Sequence, residues 1–360
     1  MTDTTWHYAV VVGIDQYPRI ENGRKNLRGP MEDAEDMAAW LTDAKGGNLD
    51  PGRVKLLTRK APGGRNPPVP VLDEITDAIL GCAADFVDRR KTTLPNEAAR
   101  KAAWQKSRLY FYVSGHGIDD EGDDAALITA NASSVSLNHI STRNVLNKLT
   151  KERVFGELVI LADCCREMIG VGMQPLIWDL SPYRGYNVRS LPRTFIGLAS
   201  RNRHKAFEPG DKYRNSIFTQ ALLEGLKGGV SGNVVTSETL EKFLYSVVPK
   251  LAQEQKGEDQ DPKIDGDPDI VFMHNSTNYQ VTLTARPGSP FAELPAVDVL
   301  ETDKAVVRSR VPLPAAAPGV FKGALPTGFY AIVPPGGDPM AGSPVHPLSV
   351  LGKDTNEAIG

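Results

Sequence analysis

The chain is poor in cysteine: three among 360 residues, Cys82, Cys164 and Cys165, two of them adjacent. Three thiols cannot build a paired framework, so a disulfide scaffold is excluded and a reduced, cytoplasmic setting is expected. Long apolar runs are also missing. No stretch reaches the roughly 20 residues that a membrane helix needs, so no membrane partner is expected. Residues Met1 to His7 lack a basic segment followed by an apolar one, and no secretory signal is read there. Charge of one sign is lacking too. Lys and Arg number 41 against 44 Asp and Glu, a net −3 that implies no nucleic-acid partner. No Gly-x-Gly-x-x-Gly or Walker pattern follows a strand, which ranks a nucleotide-binding domain low.

What is present reads as a soluble globular chain, 41% hydrophobic and 24% charged. Leu158 to Ala162 is an unbroken apolar run, as expected of a strand buried on both faces of a parallel sheet. It ends in Asp163-Cys164-Cys165-Arg166-Glu167. A second such strand, Leu109 to Val113, ends in Ser114-Gly115-His116-Gly117. Ligands of open α/β sheets bind outside the carboxyl ends of strands, and neighbouring strands lie about 4.8 Å apart. If these two are neighbours, a Cys and a His share one cleft. Side chains alternate along a strand, so Asp163 and Cys165 point one way and Cys164 the other, into packing. That alternation selects Cys165 over Cys164 as the candidate nucleophile.

His116 precedes Cys165 by 49 residues. Ser114-Gly115-His116-Gly117 and Asp163-Cys164-Cys165-Arg166 together resemble the His and Cys motifs of the caspase and metacaspase family of cysteine peptidases. Cys164 and Glu167 depart from the residues usual beside the nucleophile. Asn26-Leu-Arg-Gly-Pro-Met-Glu-Asp-Ala34 resembles the metacaspase loop into the first helix, with Pro30 and Glu32 departing from its Cys and Asn. The resemblance covers about residues 6–274. It implies a three-layer αβα sandwich around a mostly parallel sheet and cysteine endopeptidase activity on protein or peptide substrates. His116 and Cys165 would be catalytic, and the N–H groups of Gly117 and Cys165 would bind the oxyanion. Asp33, Asp163 and Ser114 fall on positions lining the primary specificity pocket. Two neighbouring carboxylates repel, one pKa should rise, and an arriving guanidinium would relieve both. Cleavage after Arg, with Lys second, is expected.

Each of these residues also has a structural reading. His116 would be a capped core histidine, the glycines would shape a turn, Asp33 would stabilise a helix dipole and Asp163 would accept from loop amides. On that view the chain is a catalytically silent caspase-like scaffold or regulatory binding module. The acidic residues from Asp119 to Asp124 do not match the calcium ligands of metacaspases, and Asp265-Gly-Asp-Pro-Asp269 is too incomplete for an EF-hand. No metal or cofactor is expected, although the acidic loop could hold calcium and calcium dependence stays open. The family also implies a zymogen. Arg184, Arg189 and Arg193 in the loop after Cys165, with Arg201 and Arg203 beyond, offer sites for self-processing or for an activating protease.

Further elements follow from periodicity. Strands are expected at Tyr8–Ile14, Arg53–Thr58, Thr194–Ala199 and Asp269–Met273, the last closing the core sheet. Helices are expected at Met31–Ala44, Val71–Val87, Ile140–Leu149, Ser216–Gly225 and Thr239–Gln255, with an extra one between Lys91 and Lys106. Twelve of the 27 prolines lie after residue 286. Residues 276–350 are read as a small β-sandwich-like domain of unstated role, followed by a loose tail.

Overall fold

A computed structural model of the chain describes residues 3–58, 69–119, 125–133, 135–165, 167–168, 179–184, 190–201, 206–210, 212–230, 234–274, 279–303, 306–325, 328–350 and 354–360. Two compact units result: Met1–Leu223 with Thr236–Phe272, and Glu224–Val235 with Met273–Gly360. The elements run β1 (His7–Gly13), α1 (Pro30–Thr42), β2 (Val54–Thr58), α2 (Leu72–Thr93), α3 (Glu97–Gln105) and β3 (Arg108–Gly115). Next come β4 (Gly117–Asp119), β5 (Ala126–Ile128), β6 (His139–Ser141), α4 (Thr142–Glu152), β7 (Glu157–Cys164) and β8 (Glu167–Met168). Then follow β9 (Arg193–Leu198), α5 (Ile217–Glu224), β10 (Val234–Thr236), α6 (Ser237–Lys256), β11 (Lys263–Gly266) and β12 (Val271–His274).

The core sheet has the order β11-β9-β7-β3-β1-β2, parallel except for β11. Every residue of β1, β3 and β7 is buried, as a sheet covered on both faces requires. One face packs Val10, Phe111 and Ile160 against Ile79 and Phe86 of α2 and Val145 and Leu149 of α4. On the other, Trp40 of α1 meets Tyr110 edge-on, and Thr219 of α5 bonds the Tyr112 hydroxyl. This is a three-layer αβα sandwich with a mostly parallel sheet.

A strand that is apolar on both faces has no alternation to fix its register. Its polar ends do so instead. Arg108 pairs in register with Glu157 at one end of β3 and β7, and Ser114 with Asp163 at the other. Arg108 Nε donates to Glu157 Oε2 at 2.7 Å, with both side chains buried. Breaking a buried ion pair costs about 3–5 kcal/mol, so a slipped register strands two charges.

Three expectations are corrected. Ile140 is not helical: His139–Ser141 pairs antiparallel with β5, and Ser141 Oγ accepts from Asn144 N to cap α4. Ile140 lies five residues before Val145, off the stripe that Val145 and Leu149 share at i, i+4 spacing. The Asp269–Met273 strand does not close the core sheet. Val271–His274 pairs with β10, and the sixth place belongs to β11, antiparallel to β9. Only Ile264 is buried in that edge strand, so it carries little apolar signal. The tail is not loose, because Thr355–Ile359 forms a strand parallel to Tyr279–Ala285.

The second unit holds β13 (Tyr279–Ala285), β14 (Ala296–Asp303), β15 (Val306–Ala317), β16 (Val320–Leu325), β17 (Gly328–Val333), β18 (His346–Val350) and β19 (Thr355–Ile359). They form one seven-stranded sheet, β18-β17-β14-β15-β16-β13-β19, over a core that includes Leu283, Phe291, Val297, Phe321 and Ile332.

Candidate active site

The carboxyl ends of β3 and β7 lie side by side, with Gly115 opposite Cys164. Parallel pairing resumes three residues on, in a second sheet, with Ile118 opposite Glu167. Both pairs keep the same offset, so His116 and Cys165 between them share one register position. Gly115 turns the chain there with φ +156°, and a side chain on it would meet Tyr17 Oη at 2.6 Å. Gly117 is pressed against the cysteines: a Cβ would collide with the Cys165 carbonyl oxygen and lie 2.7 Å from Cys164 Sγ.

Cys164 is buried in the core, whereas Cys165 is part-exposed. The Cys165 thiol donates to the Ala206 carbonyl at 3.4 Å. His116 Nε2 lies 2.5 Å from the Lys25 carbonyl. A carbonyl only accepts, so Nε2 carries a proton. His116, Cys165, Ser114, Asp163, Glu208 and Ser216 line one cavity of about 280 Å³.

Two buried carboxylates underlie this cavity. Asp163 Oδ2 accepts from the Thr219 amide at 3.0 Å and the Thr219 hydroxyl at 2.7 Å. Burial pushes its pKa up to about 6, against those two bonds. Asp33 accepts from Ser114 Oγ, Ser216 N and Ser216 Oγ at 3.0, 2.9 and 2.6 Å. Burial, and next the charge of Asp163, hold its carboxyl well above the usual carboxylate range. Asp33 is wholly buried and does not line the cavity, and its contact there runs through Ser114 and Ser216.

Sequence patterns had singled out neither Tyr17, Ser216, Thr219 nor Glu208. Thr219 and Ser216 stand at the start of the helical run Ile217–Glu224, where a hydroxyl is unremarkable from spacing alone. Glu208 Oε1 accepts from the Arg28 amide at 2.5 Å and adds a carboxylate to the cavity wall.

Asp119 ends β4, while residues 120–124 of the acidic loop lie outside the described residues, as do Arg166, Arg189 and Arg203. Among the described residues no group of three His, Cys, Asp or Glu is arranged to hold a metal ion, and no helix is long and apolar enough to cross a membrane. Arg193 is not a linker residue: it opens β9 and pairs with Glu157. Arg184 bonds Glu152 at 2.7 Å.

The model of the caspase domain matches residues 7–269. The chain belongs to the caspase-domain family of cysteine peptidases. A probable protease of a Desulfuromonadales bacterium is 26% identical over 232 residues, 62% of this chain, and the chain spans only about a quarter, 26%, of that relative. Among solved structures, caspase-1 from Spodoptera frugiperda aligns with a TM-score of 0.48 at 16% identity, covering 75% of this chain and 91% of that one. A protein from Geobacter sulfurreducens aligns with a TM-score of 0.41 at 15% identity, covering 73% and 94%.

Proposed function

We propose that this chain is a cysteine endopeptidase that cleaves after basic residues, Arg before Lys, with Cys165 as nucleophile and His116 as base and acid. The shared register position of His116 and Cys165 over one cavity carries this reading. The Cys165 thiol gives its proton to His116 Nδ1, and the sulfur attacks the scissile carbonyl carbon. The N–H groups of Gly117 and Cys165 receive the oxyanion, each such donor being worth about 2.7–4 kcal/mol. The carbon–nitrogen bond then breaks, and the leaving amine takes the proton from Nδ1. Water next attacks the thioester and gives a proton to Nδ1, and the acid leaves as the thiol is restored.

Asp163 is the group that meets the substrate cation, with Ser114 beside it and Asp33 behind. A guanidinium between Asp163 and the Ser114 hydroxyl offsets the burial that raises both carboxyl pKa values, and at Asp33 the charge of Asp163 as well. A positional-scanning set of peptides tests the reading. Turnover is expected with Arg, less with Lys and none with Asp before the cleaved bond, and none for Cys165→Ala. Turnover that survives Cys165→Ala would refute the mechanism, and a preference for Asp would refute the pocket assignment.

A further inference from the structure

One loop, Asp15 to Leu27, meets His116 at three points. Lys25 offers the carbonyl that takes Nε2–H. Tyr17 accepts the main-chain N–H of His116 on its hydroxyl oxygen at 2.8 Å, and the same hydroxyl points its proton at the Ile128 carbonyl, 3.4 Å away. The Tyr17 ring packs on the imidazole, with centroids 4.7 Å apart and planes 52° apart. Tyr17 is wholly buried, although it lies in a loop without regular structure. Gly115 is the residue that admits it, since any Cβ there would collide with its hydroxyl.

The loop is itself latched. The Asn26 side chain accepts the Tyr17 amide at 2.8 Å, and Leu27 N bonds the Asp15 carbonyl at 2.8 Å. Asn26 follows Lys25 directly. Fixing Tyr17 to Asn26 therefore fixes the carbonyl that holds the Nε2 proton. The ring of His116 has two soft torsions. Its backbone, its face and its outer nitrogen are each met by a different group of this loop.

We infer that Tyr17 is a positioning residue for His116 and Asn26 its latch: together they hold the imidazole with its Nε2–H on the Lys25 carbonyl. The catalytic part of this inference rests on the peptidase reading above; the part about the Nε2–H bond does not. A residue that orients a catalytic group acts on the transition state and leaves ground-state substrate binding alone, so kcat falls and KM holds. Losing orientation within a general acid–base pair forfeits part of the 10²–10⁴-fold it supplies, and about tenfold is expected here.

The test uses the full chain with Tyr17→Phe, Asn26→Ala and Asn26→Asp, read by steady-state kinetics on an Arg peptide and by imidazole ¹⁵N shifts of His116. Asn26 is exposed, so its variants keep the fold even where Tyr17→Phe does not. Tyr17→Phe and Asn26→Ala are expected to lose about tenfold in kcat with little change in KM, and to show mixed tautomers. Asn26→Asp keeps the accepting oxygen and should keep the wild-type values. Unchanged kcat and an unmixed Nε2–H signal in Asn26→Ala would overturn the inference, as would a lowered melting temperature with the tautomer untouched. Wild-type protein without Cys165-dependent turnover would overturn the peptidase reading instead, and the ¹⁵N signal alone would then decide the role of Tyr17.

Discussion

Asp33 and Asp163 are separated by a single serine: Ser114 stands in register beside Asp163 and donates its hydroxyl to Asp33. Three residues far apart in the chain thus make one buried acidic unit at the end of β3. Of the three, Ser114 and Asp163 open onto the cavity beside Cys165.

On the proposed specificity, recognition of a cation by this unit should follow pH. Only ionised Asp163 attracts a guanidinium, and its pKa stands near 6. On an Arg substrate, kcat/KM is expected to fall as pH drops through about 6, because that ratio reports the free enzyme. A citrulline substrate, neutral but of similar shape, should be turned over poorly at every pH and show no such limb from Asp163. Initial rates from pH 5 to 8 on the two peptides decide it; equal slopes on both would exclude Asp163 as the cation's partner.

The same burial has a cost in stability, with a definite sign. Folding raises the pKa of Asp163 from its ordinary 3.8 to about 6, so the folded state holds the proton more tightly. The native state then loses stability as pH climbs from about 4 to about 6, and the loss is complete above that window. Asp163→Asn avoids this loss and retains the oxygen that accepts both Thr219 bonds. Its unfolding free energy should exceed the wild type's at pH 8, by on the order of 3 kcal/mol at most, read as a higher melting temperature, and the gap should close by pH 4. A variant less stable than wild type at pH 8 would show that Asp163 is held by attraction rather than merely tolerated.

Gly117 offers a third test. A methyl group there has no room beside Cys164 and Cys165, so the peptide proposed to carry the oxyanion donor must shift. Gly117→Ala should lower kcat by about 10²–10³-fold with the circular dichroism spectrum retained. A kcat within a few-fold of wild type would remove Gly117 from the oxyanion site.

The parts of this fold that sequence makes legible are those with an apolar signature. The runs in β1, β3 and β7 announce themselves because both faces are covered. The spacing from His116 to Cys165 is legible for the same reason, since it equals the register offset of the two strands. The antiparallel edge strand escapes. β11 buries a single side chain, and its neighbours read as a turn. Loop residues escape as well: Tyr17 has no periodic partner, and its burial depends on Gly115 nearly a hundred residues later. The bonds from Ser216 to Asp33 and from Thr219 to Asp163 cross between elements that share no local pattern.

The thiol of Cys165 spends its resting time bonded to the carbonyl of Ala206. A sulfur in that state keeps its proton, and peroxide attacks the anion far faster than the neutral group. On the proposed mechanism that bond must break before the sulfur can attack, and until it does the thiol stays in its less oxidisable form.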